Sequence, residues 1–136
     1  AKNAAEITPK TETIAYGETS IVSKLIGLRE TMRQALWGAL NATRDGETLR
    51  AAVNQTQDCL RELETLAGAN VSEAFAKERL RNDMTAGLLA MRAALARESS
   101  LGCHVRTDEP AIPQPLYRVV LQKQPGGEPA IRKENL

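Results

Sequence analysis

The sequence predicts an all-α fold, a spectrin-repeat-like three-helix up-down-up bundle with an extended C-terminal tail. Three stretches between residues 18 and 98 carry apolar residues at steps of three and four, which is the helical period. Short polar breaks separate these stretches, so neighbouring helices are expected to run antiparallel. Aromatic residues make up 3% of the chain, and the core is therefore expected to consist of Leu, Ala, Val and Met.

Length, charge and cysteine content narrow the class of protein. The chain has 136 residues, enough for one domain with a real core. Its net charge of +1 gives no electrostatic reason to expect a nucleic acid or an anionic membrane as partner. No apolar run approaches the roughly 20 residues that a membrane span needs. Two cysteines are too few for a disulfide framework and fit a cytoplasmic location.

Residues 1–17 are predicted to form a linker or N-terminal arm. They are polar, show no period and contain Pro9 and Gly17. The chain also begins with Ala rather than Met. A domain excised from a longer protein would begin this way, and so would any protein with a frayed terminus.

The three-helix bundle is predicted over residues 18–98. The first helix is expected from Glu18 to Asn41, with Thr19 or Ser20 as N-cap. Asp45 is the expected N-cap of the second helix, and Gly68 is expected directly after its last turn. The apolar stripes of these two helices consist of Ile21, Leu25, Leu28, Met32, Ala35, Leu36, Ala39 and Leu40, then Leu49, Ala52, Val53, Thr56, Leu60, Leu63 and Leu66.

The third helix is predicted from Ser72 to Glu98, and residues 72–78 could form a separate short helix. Its stripe consists of Leu80, Met84, Leu88, Met91 and Leu95. Gly87 lies in the middle of this helix, where a glycine costs about 1 kcal/mol relative to alanine. Close approach of a neighbouring helix would explain its presence.

Two further segments follow the bundle. Residues 99–116 contain Gly102 and three prolines and are predicted to be a loop. Residues 117–136 form a tail with a possible β-hairpin, whose strands would be 117–122 and 130–132 around a turn at Pro125-Gly126-Gly127. An isolated hairpin is marginal in water, so it must dock on the bundle, on a missing partner domain or on a second copy of the chain.

A search for reactive groups finds no convergent set. His104 is the only histidine, and its neighbours Cys103 and Asp108 are adjacent in sequence, which does not provide the geometry of a metal site. Cys103 and His104 should point apart in an extended segment, and Cys59 is most simply a packing residue. We therefore expect no catalytic, cofactor-binding or metal-binding residue in this chain.

The segment from Arg97 to Pro110 is densely polar and directly follows the third helix. One interpretation is a helix stopped by Gly102 and followed by a solvated loop. The segment also resembles the end of the C-terminal helical domain in the fumarate reductase and succinate dehydrogenase flavoprotein superfamily. That pattern is approximately Arg-Glu-Glu-Ser-Arg-Gly-x-His-x-Arg-x-Asp-x-Pro. The positions in register here are Ser100, Gly102, His104, Arg106, Asp108 and Pro110.

The resemblance extends over roughly residues 18–120 and is strongest to the L-aspartate oxidase family. That family commonly has a Cys-His-x-Arg-Thr-Asp run, which here begins at Cys103. A second matching stretch comprises Met32, Trp37-Gly38 and Arg44-Asp45-Gly46-x-x-Leu49. Departures are Ser99 in place of Glu and Leu101 in place of Arg, and the tail lacks the Trp-Leu-Lys stretch of succinate dehydrogenases.

The resemblance implies a parent enzyme that oxidises L-aspartate to iminoaspartate with FAD, in NAD biosynthesis. The FAD-binding and capping domains of the same polypeptide would hold the flavin and the catalytic residues, so none is transferred to this chain. The resemblance suggests contact with the flavin domain for Ser100, Gly102, His104, Arg106 and Asp108. Two alternatives remain open. The parent could be a succinate dehydrogenase or fumarate reductase flavoprotein, or the chain could be a free-standing helical interaction module.

Overall fold

The computed structural model describes residues 20–112, 114–125 and 128–136. Three helices pack together, α1 (Val22–Ala39), α2 (Gly46–Thr65) and α3 (Val71–Ala96), and a small two-stranded sheet follows them. This confirms the three-helix prediction. The proposed arm over residues 1–17 lies outside the described residues, as does Thr19. None of the described helices combines the length and the hydrophobicity that crossing a membrane requires.

The first helix is shorter than predicted: it begins at Val22 rather than Glu18 and ends at Ala39 rather than Asn41, and its N-cap position is not one of the two residues expected. The N-cap position of α1 is Ile21, which makes no side-chain capping bond, but the backbone N–H of Val22 donates to Ser20 Oγ at 3.3 Å. The second helix begins at Gly46, directly after the expected cap. Asp45 caps α2 as predicted, because Thr48 N donates to its Oδ1 at 2.8 Å. The helix ends at Thr65, so Gly68 does not follow it directly.

The third helix differs from its prediction at both ends. It is continuous from Val71, so the separate short helix over residues 72–78 was wrong. Asn70 is the N-cap, since its Oδ1 accepts from Glu73 N at 2.9 Å. The buried Glu73 carboxylate in turn accepts from Ala69 N at 2.8 Å, which holds the turn before the helix. The helix ends at Ala96 rather than at Glu98.

The core consists of two apolar clusters joined by Leu36 and Leu60, which pack against both. The first cluster contains Ile21, Leu25, Leu28, Met32, Cys59, Leu63, Leu66, Leu80 and Met84. The second cluster contains Ala35, Ala39, Leu49, Ala52, Val53, Leu88, Met91 and Ala94. A neighbouring helix approaches Gly87 closely, as predicted, because a Cβ at this position would lie 2.9 Å from Leu36 Cδ2 of α1. The buried Cys59 is a packing residue, as expected.

The tail forms the predicted hairpin, with β3 (Tyr117–Gln122) antiparallel to β4 (Ala130–Asn135). The return strand is longer than the three residues expected, and the turn glycines Gly126 and Gly127 lie outside the described residues. The hairpin docks on the bundle, which is one of the three docking partners expected. Lys133 Nζ contacts Glu98 Oε2 at 2.7 Å, and Arg92 of α3 forms an ion pair with Glu128.

Candidate functional site

The densely polar segment after α3 lies against the turn between α1 and α2. Two short strands join them in parallel, β1 (Thr43–Arg44) and β2 (Val105–Arg106), with Arg44 opposite Arg106. Thr107 extends this pairing, because its backbone N–H donates to Arg44 O at 2.8 Å and its hydroxyl donates to the same oxygen at 3.2 Å. Two segments about sixty residues apart in sequence therefore form one site.

Arg106 is the centre of this site and is 2% exposed. Its Nε and Nη2 donate to the two carboxylate oxygens of Asp108 at 2.7 and 2.8 Å. Its Nη1 lies 3.1–3.3 Å from three backbone carbonyl oxygens at the end of α3, those of Ala94, Leu95 and Arg97. The charge therefore lies at the negative end of the α3 dipole, where a cation is favoured. Its hydrogen-bonding capacity is largely used inside the chain.

Asp108 connects Arg106 to the start of α2. Its Oδ2 accepts from the backbone N–H of Gly46, the first residue of α2, at 2.8 Å. A carboxylate is favoured at a helix N-terminus, because the first N–H groups are unpaired and the dipole is positive there. The Arg106 guanidinium holds the pKa of this carboxyl well below its usual range, and the Gly46 N–H acts in the same direction. We call Arg106, Asp108 and Gly46 the helix-end clamp.

The clamp requires a glycine at position 46. A Cβ there would lie 2.8 Å from Asp108 Oδ2 and 2.9 Å from Arg106 Nη2. Both atoms are held in the bidentate pair, so neither can move away without breaking a hydrogen bond. The glycine of the Arg44-Asp45-Gly46 stretch thus has a defined physical role.

Ser100 shapes the loop that presents the clamp. Its hydroxyl oxygen accepts from Arg106 N at 2.8 Å and donates to Glu109 O at 2.9 Å. Its own backbone N–H donates to Ala111 O at 3.0 Å. The Ser100 side chain therefore joins the start of the loop to residues 106 and 109.

A tight turn follows Ser100. Leu101 and His104 exchange backbone hydrogen bonds of 2.9 and 3.1 Å across Gly102 and Cys103. Gly102 has a φ of 60°, a left-handed conformation that favours glycine. Cys103 is exposed at the tip while His104 is buried, and the two residues lie at this turn rather than in the extended segment expected. The Leu101 side chain is half-buried in this turn.

His104 links the loop to Arg44. Arg44 Nη1 lies 2.6 Å from His104 Nδ1, and since a guanidinium can only donate, Nδ1 is the acceptor. The ring proton is then on Nε2, which faces Arg97 O at 3.4 Å. Burial lowers the pKa of the imidazole, and the positive charges of Arg44, Arg97 and Arg106 lower it further. The folded chain therefore favours neutral His104.

The residues that dock the hairpin beside this site were not identified from sequence. Ser99 Oγ and the Tyr117 hydroxyl lie 3.2 Å apart, and Arg97 Nη2 donates to Tyr117 O at 3.0 Å. The ring of Tyr117 has Lys133 Nζ at 5.3 Å from its centroid, within the range of a cation–π contact. The one sign of this contact in the sequence is Tyr117, the aromatic residue that begins the strand.

The hydrogen bonds of this site hold the loop against the end of α3 and the start of α2. Across residues 20–112, 114–125 and 128–136, no three His, Cys, Asp or Glu side chains are grouped to hold a metal ion. All five positions singled out from the sequence lie on one loop. Ser100, Arg106 and Asp108 bond within it or to helix ends, His104 bonds to Arg44, and Gly102 permits the turn.

The fold and the site together define a three-helix domain in which the segment after the last helix ties α3 to the start of α2. The family described as fumarate reductase flavoprotein C-term matches residues 29–122, more than two thirds of the chain. The chain belongs to this family of flavoprotein C-terminal domains. Searches of curated proteins and of solved structures found no match.

Proposed function

We propose that the chain is the C-terminal domain of an FAD-dependent L-aspartate oxidase-like enzyme of the cytoplasm. The parent would oxidise L-aspartate to iminoaspartate in NAD biosynthesis, and this domain would pack against its FAD-binding and capping domains. The flavin and the catalytic residues would belong to those domains. The family, a group of flavoprotein C-terminal domains, supports the accessory role.

The main support for the proposal is that the Cys-His-x-Arg-Thr-Asp run bonds to the turn before α2. Arg106 and Asp108 of that run form the helix-end clamp with Gly46, and Thr107 bonds to Arg44 through both its N–H and its hydroxyl. The two stretches that resemble the aspartate oxidase family thus contact each other. The absence of the Trp-Leu-Lys stretch after Tyr117 also favours the aspartate oxidase side.

The proposed contact surface for the flavin domain is the outer edge of the loop. Gly102 is exposed at its tip, and the side chain of Asp108 is 40% exposed although it is part of the clamp. Ser100, His104 and Arg106 are buried or half-buried and would act as positioning residues beneath that edge. The five residues would therefore contribute together, two at the surface and three below it.

Two measurements on the parent test the proposal. The reading frame upstream should encode a Gly-x-Gly-x-x-Gly dinucleotide-binding segment. The full-length protein should then oxidise L-aspartate and show little activity with succinate. Oxidation of succinate or reduction of fumarate without aspartate oxidation would instead assign the parent to the other branch, which the family description names. A complete gene of about this length would overturn the proposal in favour of a free-standing module.

Hydrogen exchange tests the contact surface. Backbone amides of residues 101–105 should exchange more slowly in the parent than in the isolated chain, because the adjoining domains would cover them. The part of α2 around Arg61, near the end of the helix, serves as the control and should exchange equally in both. Equal exchange of the loop in both proteins would contradict the contact.

A further inference from the structure

A cleft on the far side of the loop from Gly46 carries an uncompensated positive charge. It has a volume of about 430 Å³ and lies between the end of α3, the turn after α1 and β3. The small residues Ala90 and Ala93 of α3 also line it. The polar groups that line it are Arg44, Arg97, His104 and Arg118. None of its described lining residues is acidic.

Two of the three arginines of this cleft lack a carboxylate partner among the described residues. Within the described part of the chain, neither Arg44 nor Arg97 forms a salt bridge. Arg118 contacts Glu134 at 2.7 Å, but the same carboxylate also contacts Arg132 at 2.7 Å, so one negative charge serves two guanidinium groups. The cleft therefore has about two positive charges in excess.

A second cleft of similar size does not have this excess of positive charge. It has a volume of about 440 Å³ and lies on the other side of the clamp, between α2, α3 and the hairpin. Its charges are of both signs and include the Arg106–Asp108 and Arg92–Glu128 pairs. Its lining has three arginines and four carboxylates, whereas the first cleft has only cationic and neutral groups.

The arginines of the first cleft also have unused donors. Arg44 uses Nε for Asn41 O and Nη1 for His104, and its Nη2 makes no hydrogen bond to the described residues. Arg97 uses Nη2 for Tyr117 O, while its Nε is buried without a partner among the described residues. Arg44 Nη2 and Arg97 Nη1 make no hydrogen bond to the described residues and can donate to an incoming acceptor.

We propose that this cleft binds a small free oxyanion, one that presents carboxylate or phosphate oxygens to Arg44 and Arg97. Guanidinium groups match such oxygens in geometry and form charge-assisted hydrogen bonds with them. The volume lies within the range of roughly 300–1,000 Å³ seen for small-molecule sites. The inference does not depend on the identity of the parent enzyme.

His104 provides a direct measurement, because it is the only histidine in the chain. The imidazole NMR signals of the full chain are followed during titration with inorganic phosphate and with citrate, using sodium chloride at equal ionic strength as reference. Each oxyanion should give a saturable shift, and a bound anion should raise the pKa of His104 by favouring the imidazolium form. A linear shift, or an equal shift with chloride, would overturn the proposal.

Variants assign the binding to the cleft. Arg97→Gln should weaken the apparent affinity about tenfold or more, since a charge-assisted hydrogen bond is lost. Arg79→Gln, at an exposed position of α3 outside the cleft lining, is the control and should bind as the unmodified chain does. If Arg97→Gln fails to fold, Arg118→Gln replaces it, because that side chain is 66% exposed. Saturable binding that the folded cleft variant leaves unchanged would place the anion elsewhere and refute the assignment.

Discussion

Arg106 explains why the segment after α3 is ordered rather than solvated. A buried charge is tolerated when it is paired and its remaining donors find acceptors, and Arg106 meets both conditions. Lysine could not do so, because a single ammonium cannot span a carboxylate and three carbonyl oxygens. The interpretation of this segment as a solvated loop was therefore wrong for Arg106 and His104, which are both buried.

Gly46 offers the sharpest test of the clamp at the residue scale. Gly46→Ala should lower the free energy of unfolding by about 1–3 kcal/mol, because its Cβ would overlap Asp108 and Arg106. Gly27→Ala is the matched control: it lies within α1 with nothing inside 4 Å, and helix propensity should raise stability by about 0.5–1 kcal/mol. Urea denaturation measures both. Stabilisation by both substitutions would mean that the clamp is not closed around Gly46.

His104 should make stability depend on pH. Its folded-state pKa lies below the ordinary value of 6.5, so the unfolded chain takes up a proton at a higher pH than the folded chain. Stability should be complete above about pH 6.5 and should fall as the pH drops toward the folded-state pKa. Arg44, Arg97 and Arg106 are the charged groups acting on the ring.

The measurement compares urea unfolding at about pH 7.5 and about pH 5.5. Since His104 is the only histidine, no other side chain ordinarily titrates between these values. His104→Asn keeps an acceptor for Arg44 and should show a much smaller difference between the two conditions. A decrease of the same size in this variant would assign the pH dependence to other groups.

At the scale of elements, the contact between α1 and α3 depends on Gly87. Gly87→Ala gains about 1 kcal/mol of helix propensity but forces the Leu36 side chain to move, since the new Cβ would lie 2.9 Å from it. The net change in stability should therefore be small. In a Leu36→Ala background the obstruction is absent, and the same substitution should stabilise by about 1 kcal/mol. A double-mutant cycle that shows purely additive effects would refute this contact.

The elements could be predicted from sequence to different degrees. Apolar periodicity located all three helices, and Asp45 marked the start of α2 because its capping chemistry is local. The predicted ends of α3 were wrong for two reasons. At the start, Asn70 caps the helix, so the helix begins before Ser72. At the end, Arg106 donates to the last carbonyl oxygens, and the helix stops at Ala96. The strand pairing of Arg44 with Arg106 was not predictable, because no local pattern indicates a contact across sixty residues.

The same limit applies to the site. The resemblance to a known family selected the loop residues and the Arg44-Asp45-Gly46 stretch separately. Their contact through Asp108 and Gly46 is a property of the packed bundle, which brings the start of α2 and the end of α3 together. The role of Ser99 and Arg97 in docking the hairpin likewise depends on where Tyr117 lies in three dimensions.

At the scale of the whole molecule, Leu36 and Leu60 connect the two core clusters, so the bundle should unfold as one cooperative unit. Leu63→Ala in the first cluster and Met91→Ala in the second should each cost about 2–5 kcal/mol, because both side chains are fully buried. Each variant should still show a single urea transition. Helix content followed by circular dichroism and the loop followed by the His104 NMR signal should give coincident midpoints. Loss of the loop signal before the helices in either variant would show that the clamp is an independent unit resting on a stable bundle.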